Sequence, residues 1–114
     1  MRKTITTDTL QKLRKSDADF LLIDVVDTVG FAKDHIPGAR NVPLTLPDFA
    51  HAVATKASGS RTRKTILYCA GPHCDASTRA ATQLVAKGFT NVFEYEGGLA
   101  EWNDSKRARL AKTK

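Results

Sequence analysis

Thr65-Ile66-Leu67-Tyr68-Cys69-Ala70-Gly71-Pro72-His73-Cys74-Asp75-Ala76 is the stretch on which the reading of the chain turns. Its first five residues are apolar or β-branched without alternation, the pattern of a strand buried on both faces in a parallel sheet. Small and turn-forming residues follow. A helix is predicted from about Ala76, with Ala80, Ala81, Leu84 and Val85 turned inward. Gly88 ends it in the left-handed conformation that glycine tolerates. Strand, loop and helix form one unit of an α/β fold, and such folds bind ligands beyond the carboxyl ends of their strands. Cys69 stands at that edge.

Working outward, Phe20-Leu21-Leu22-Ile23, closed by Asp24 and followed by Val25-Val26, reads as a second buried strand. Ahead of it, Thr6 or Thr7 caps a helix with Leu10 and Leu13 on one face. Asp27 to His35 is expected to form a short helix carrying Val29 and Phe31 inward, broken at Ile36-Pro37-Gly38. Asn41 to Leu44 is extended, and Pro47 opens a helix that buries Phe49, Ala50 and Val53. Asn91 to Tyr95 is a further strand, and Gly97-Gly98-Leu99-Ala100-Glu101-Trp102 turns into a last helix. Strands alternating with helices predict an α/β domain, with a mainly parallel open sheet and helices on both faces.

The chain has 114 residues, 41% of them hydrophobic, which suits one domain with one core. No apolar run approaches the roughly 20 residues that span a bilayer. The start, Met1-Arg2-Lys3-Thr4, leads into polar residues instead of an apolar signal core, so the expected compartment is the cytoplasm. The net charge is +6. Residues 103–114 carry five basic residues and one acid, whereas residues 1–102 carry 13 basic and 11 acidic. This divides the chain into a domain over 1–102 and a basic tail over 103–114. The basic residues show neither aromatic interleaving nor a helix-turn-helix pattern, so no nucleic-acid partner is expected, nor a membrane one.

Cys69 closes a strand and opens a loop that feeds a helix. A curled loop turns backbone N–H groups inward, and the helix N-terminus adds partial positive charge. This anion cradle is expected to favour the thiolate, making Cys69 the catalytic nucleophile. Ala70, Gly71, Pro72, His73, Cys74 and Asp75 form the expected substrate-binding loop, and Asp24, at the end of its own strand, is expected to line the same pocket. Asp75 is placed to cap the following helix. A Cys-x3-His-Cys spacing is cramped for tetrahedral zinc, so neither metal nor cofactor is expected. A phosphatase loop needs an arginine where Asp75 stands, which excludes that chemistry.

Three stretches, in order, resemble the signatures of rhodanese-like sulfurtransferase domains. Asp24-Val25-Val26, Phe31 and His35-Ile36-Pro37-Gly38-Ala39-Arg40-Asn41-Val42-Pro43-Leu44 resemble the first. Tyr68-Cys69, the loop, Ser77, Ala80-Ala81 and Lys87-Gly88-Phe89 resemble the catalytic segment, and Gly97 to Trp102 resembles the C-terminal signature. The resemblance implies a rhodanese-like fold over 1–102. It also implies sulfur transfer through a Cys69 persulfide, from thiosulfate or a persulfide donor to cyanide or a thiol, with a sulfur-relay protein as a candidate partner. A non-catalytic binding or regulatory module of the same family is the alternative. Val26 and Gly30 replace an arginine and an acid common in the family. The loop is about two residues longer than the common form and holds no arginine before Arg79, which weakens the case for thiosulfate as preferred donor. Within this frame Cys74 is either a resolving thiol that attacks the Cys69 persulfide, giving a thiol redox role to the pair, or a packing residue.

Overall fold

A computed structural model describes residues 3–16, 18–71 and 73–112. The elements in chain order are β1 (Thr4–Ile5), α1 (Thr7–Lys15), β2 (Leu21–Asp24), α2 (Thr28–Lys33), β3 (Arg40–Asn41), α3 (Phe49–Lys56), β4 (Thr65–Tyr68), α4 (Ala76–Ala86), β5 (Val92–Tyr95) and α5 (Gly98–Lys112). The five strands form one sheet in the order β1-β5-β4-β2-β3, and every ladder among them is parallel. The α/β architecture with a mainly parallel sheet is as the alternation of patterns predicts.

The sheet separates two cores, and strand periodicity assigns residues to them. Leu21, Ile23, Val25, Leu67, Cys69 and Val92 pack under α3 and α4, with Phe49, Val53, Ala80, Ala81 and Leu84. Leu22, Ile66, Tyr68 and Tyr95 pack on the other face with Leu10 of α1 and Trp102 of α5. All four residues of β2 and all four of β4 are buried, which explains their unbroken apolar character.

Local signals place the helix ends. Thr6 caps α1, its hydroxyl accepting from Thr9 N at 3.1 Å. Asp48 caps α3, accepting from His51 N at 3.2 Å, so Pro47 precedes that helix instead of beginning it. Gly88 follows α4 at φ +91°, as expected of a glycine stop.

Two expected core residues face outward: Val29 is 64% exposed and Val85 59%. At about 100° per residue, Val29 and Phe31 lie on nearly opposite sides of α2, and only one can turn inward. Val85 lies on the flank of the stripe defined by Ser77, Ala80, Ala81 and Leu84. The expected domain end at residue 102 falls inside α5, which continues through position 103 and beyond. Asn103 Nδ2 donates to Asp34 Oδ2 at 3.0 Å, and Ser105 Oγ accepts from Gln11 Nε2 at 3.1 Å. Among the described residues, no helix is long and apolar enough to cross a membrane.

Candidate active site

Cys69 directly follows β4 at the carboxyl edge of the sheet. The ladder pairs Asp24 with Tyr68, and Val25 N donates to Tyr68 O at 3.0 Å. Alternation then turns Cys69 toward α3 and α4, where it is only 2% exposed. Its Sγ lies 3.4 Å from Cys74 O, 4.0 Å from Gly71 O and 4.0 Å from Ser77 Oγ. Cys74 N donates to Gly71 O at 3.2 Å, closing a turn that folds residue 74 back over Cys69.

The loop is supported from behind by the start of α5. Leu99 N donates to Cys69 O at 3.0 Å, and Ala100 N to Ala70 O at 2.9 Å. This approach requires Gly98, at φ +63°: a Cβ there would stand 2.9 Å from Gly71 N and press on the Cys69 carbonyl oxygen. Gly98, the second glycine of the C-terminal signature, thus leaves room for the backbone of the Cys69 loop.

The ionisation of Cys69 differs from the sequence-based expectation. Burial raises its pKa above the ordinary thiol value, and the neighbouring Cys74 side chain adds to the rise. Backbone hydrogen bonding at Ser77 and Gly71 pulls the other way but is outweighed. Burial thus weights Cys69 toward the thiol, because removing the sulfur from water costs more than the nearby backbone returns.

Asp75 occupies the N-cap position of α4, but its side chain makes no capping hydrogen bond. It turns outward to pair with Arg79 NH2 at 3.3 Å. The first-turn amides of α4 are thereby left without a side-chain cap on the side of Cys69. Ala70 and His73 are exposed, Gly71 and Cys74 are half-buried, and Pro72 lies outside the described residues. Both cysteines are free, and Cys74 packs against the same core as Cys69.

Asp24, expected to line the pocket, turns to the other face of the sheet with Leu22 and Tyr68. It is 1% exposed, and Val26 N donates to its Oδ1 at 3.1 Å. Burial raises its pKa, opposed by hydrogen bonds from Val26 N and the Tyr68 hydroxyl and by the nearby His35. The Tyr68 hydroxyl in turn accepts from Ile36 N at 3.0 Å. His35 stacks on Phe31 with ring centroids 3.8 Å apart, its Nδ1 2.8 Å from Phe31 O. Asp24, Tyr68 and His35 thus hold the loop around Ile36-Pro37-Gly38. Register accounts for the displacement: Asp24 aligns with Tyr68, so it shares the face of Tyr68 and not that of Cys69.

Ser77 and Gly98 carry site geometry that residue chemistry alone did not single out. The signal for Ser77 is a serine on a buried helical stripe, where it is 3% exposed. Glu94 of β5 is a second buried polar group under α4, and its Oε1 accepts from Thr78 Oγ1 at 2.7 Å. Among the described residues, no three His, Cys, Asp or Glu side chains converge as metal ligands would.

The chain matches the model of the rhodanese-like domain over residues 6–105. It is 31% identical to the thiosulfate sulfurtransferase GlpE of Pseudomonas putida, over 96% of this chain and 92% of that protein. It is 33% identical to protein slr1261 of Synechocystis, covering 90% of this chain but only 52% of that protein. The solution structure of the rhodanese-like domain of Alr3790 from Anabaena superposes with a TM-score of 0.76 at 28% identity, covering 91% of this chain and 75% of the other. With the cysteine at the strand end, the loop curled over it and the glycine pair behind it, these matches show that the chain belongs to the family of rhodanese-like domains.

Proposed function

We propose that the protein is a sulfurtransferase that carries sulfane sulfur as a persulfide on Cys69. The observation that best supports this is the seat of Cys69: just beyond a central parallel strand, under the turn closed by Cys74 N and Gly71 O, with Ser77 Oγ of the following helix 4.0 Å from its sulfur. Relatives named thiosulfate sulfurtransferase share almost the full length of the chain.

In the first half-reaction Cys69 loses its proton, and the thiolate attacks the outer sulfur of thiosulfate or of a persulfide. The bond from that sulfur to the donor breaks, and sulfite or a thiolate leaves with the electron pair. In the second half-reaction cyanide or a thiolate attacks the outer sulfur of the Cys69 persulfide, and Cys69 departs as thiolate. The persulfide anion is held by the loop amides, whose dipoles are fixed before charge arrives. Ping-pong kinetics follow from the covalent intermediate. Ala70, Gly71, Pro72, His73, Cys74 and Asp75 form the binding loop in this reading. Arg79 is already paired with Asp75, so a persulfide donor of low charge suits the loop better than the thiosulfate dianion. A sulfur-relay protein is a fitting partner, and a reducing compartment such as the cytoplasm keeps both thiols available.

The test is a donor panel of thiosulfate, mercaptopyruvate and glutathione persulfide, read by intact mass. The wild type is expected to take one sulfur atom onto Cys69, seen as added mass or as the sulfide it then releases, and Cys69→Ser none. Equal uptake by Cys69→Ser, or neither added sulfur nor released sulfide with any donor, overturns the mechanism and leaves a binding module.

A further inference from the structure

Cys69 and Cys74 are the chain's two cysteines, and they lie in one loop. The turn closed by Cys74 N and Gly71 O folds residue 74 back, so that Cys69 Sγ is 3.4 Å from Cys74 O. Cys74 is half-buried and packs on the same core as Cys69, so its side chain turns inward. The Cys74 side chain is close enough to weigh on the ionisation of Cys69, raising its pKa. A sulfur placed on Cys69 therefore has a thiol from its own chain beside it before any second substrate arrives.

Resting on the sulfurtransferase reading, we infer that Cys74 discharges the Cys69 persulfide, so that the site releases sulfide and takes an external dithiol as its reductant. The Cys74 thiolate attacks the inner sulfur, that of Cys69. The sulfur–sulfur bond of the persulfide breaks, and the outer sulfur leaves as hydrosulfide with the electron pair. A Cys69–Cys74 disulfide forms. The two thiols are oxidised and the sulfane sulfur is reduced to sulfide, so no oxidant is required. An external dithiol then attacks the more exposed Cys74 sulfur, Cys69 leaves as thiolate, and the reductant closes its own disulfide, returning both thiols. Sulfide release instead of transfer to cyanide becomes the natural outcome, because the intramolecular thiol acts at high effective concentration.

The experiment is a single turnover without added acceptor. Reduced wild type, Cys74→Ser and Cys74→Ala are treated with glutathione persulfide and desalted, and sulfide is then measured over time. Tryptic cleavage after Lys64 and Arg79 leaves both cysteines in the peptide 65–79, whose mass reports their state. In the wild type, the added sulfur is expected to be lost as about one sulfide per chain. Its peptide should end two hydrogens lighter than the reduced form. Both variants should keep the added sulfur, with sulfide release slower by at least about tenfold. A wild type that keeps its sulfur as long as the variants do overturns the inference and leaves the sulfurtransferase reading intact. So does equal sulfide release from all three, or a disulfide found only between chains. If the wild type and both variants alike neither gain sulfur nor release sulfide, the persulfide reading itself fails, and this inference falls with it.

Discussion

Gly98 stands directly behind Cys69: the backbone of the last helix begins where a single added carbon would strike the Cys69 carbonyl. Leu99 N holds that same carbonyl at 3.0 Å. Gly98→Ala therefore strains the backbone and drives a Cβ into the loop. The left-handed conformation costs about 1–2 kcal/mol, and overpacking adds about 1–3 kcal/mol. Urea unfolding should show a loss of that combined size. Persulfidation of Cys69 should fall more steeply than stability, since the clash is with the backbone of Cys69 and Gly71. A stable Gly98→Ala protein with unchanged sulfur uptake would refute this role.

Tyr68 joins the two strand ends to the loop at Ile36. Its hydroxyl receives the Ile36 amide and bonds to the buried Asp24 carboxyl. Tyr68→Phe leaves that amide without its acceptor and should cost about 1–3 kcal/mol at neutral pH. Burial also pushes the Tyr68 phenol above its ordinary value. A group raised in the fold contributes stability that is whole below its ordinary pKa and lost as pH rises toward the folded one. Wild-type stability should thus decline above pH 10, and Tyr68→Phe, although weaker at neutral pH, should decline less steeply.

Cys69 ionises late because burial and the Cys74 side chain both favour the thiol. Its alkylation rate should therefore rise with pH to a midpoint above the ordinary thiol range. Cys74→Ala removes one of the raising influences, so that midpoint should move down. Iodoacetamide labelling across pH, resolved within the peptide 65–79, measures both. A midpoint below the ordinary thiol range in the wild type would show that the loop amides dominate after all.

Thr78 supplies a hydrogen bond to a carboxylate that is 1% exposed, at 2.7 Å. Thr78→Val keeps the shape of the side chain and deletes the donor. Leaving a buried acceptor without its donor costs about 1–3 kcal/mol, so a loss of that order is expected in thermal or urea unfolding. Thr82→Val serves as the control. Thr82 is exposed and its hydroxyl donates to Thr78 O within the same helix, and its replacement should change stability by less than about 0.5 kcal/mol.

Much of the fold was legible along the chain. The unbroken apolar run at Leu21-Leu22-Ile23 and the run at Ile66-Leu67-Tyr68 marked central strands, because a parallel strand has no wet face to advertise. Thr6 and Gly88 marked helix ends through interactions that span only a few residues, whereas Pro47 misplaced the start of α3 by two residues, because the cap is Asp48. Misreadings arose where direction around an element mattered. Val29 and Phe31 are both apolar, yet their angular separation on α2 allows only one to be buried. Asp24 has the right edge of the sheet and the wrong face of it.

The position of Cys69 at a strand end, ahead of a loop and helix, was therefore contained in the order of residues, as was the likeness of three separate stretches to one family. The ionisation of Cys69 was not. It depends on how much water the packed α3 and α4 exclude, set against two amides, and that balance exists only once distant segments meet. The same holds for the glycine behind the loop, for Asp75 turning to Arg79 instead of capping its helix, and for the fold of residue 74 over residue 69. Periodicity and capping act between near neighbours and can be read in line. Desolvation, close backbone approach and the meeting of two thiols are properties of the packed volume.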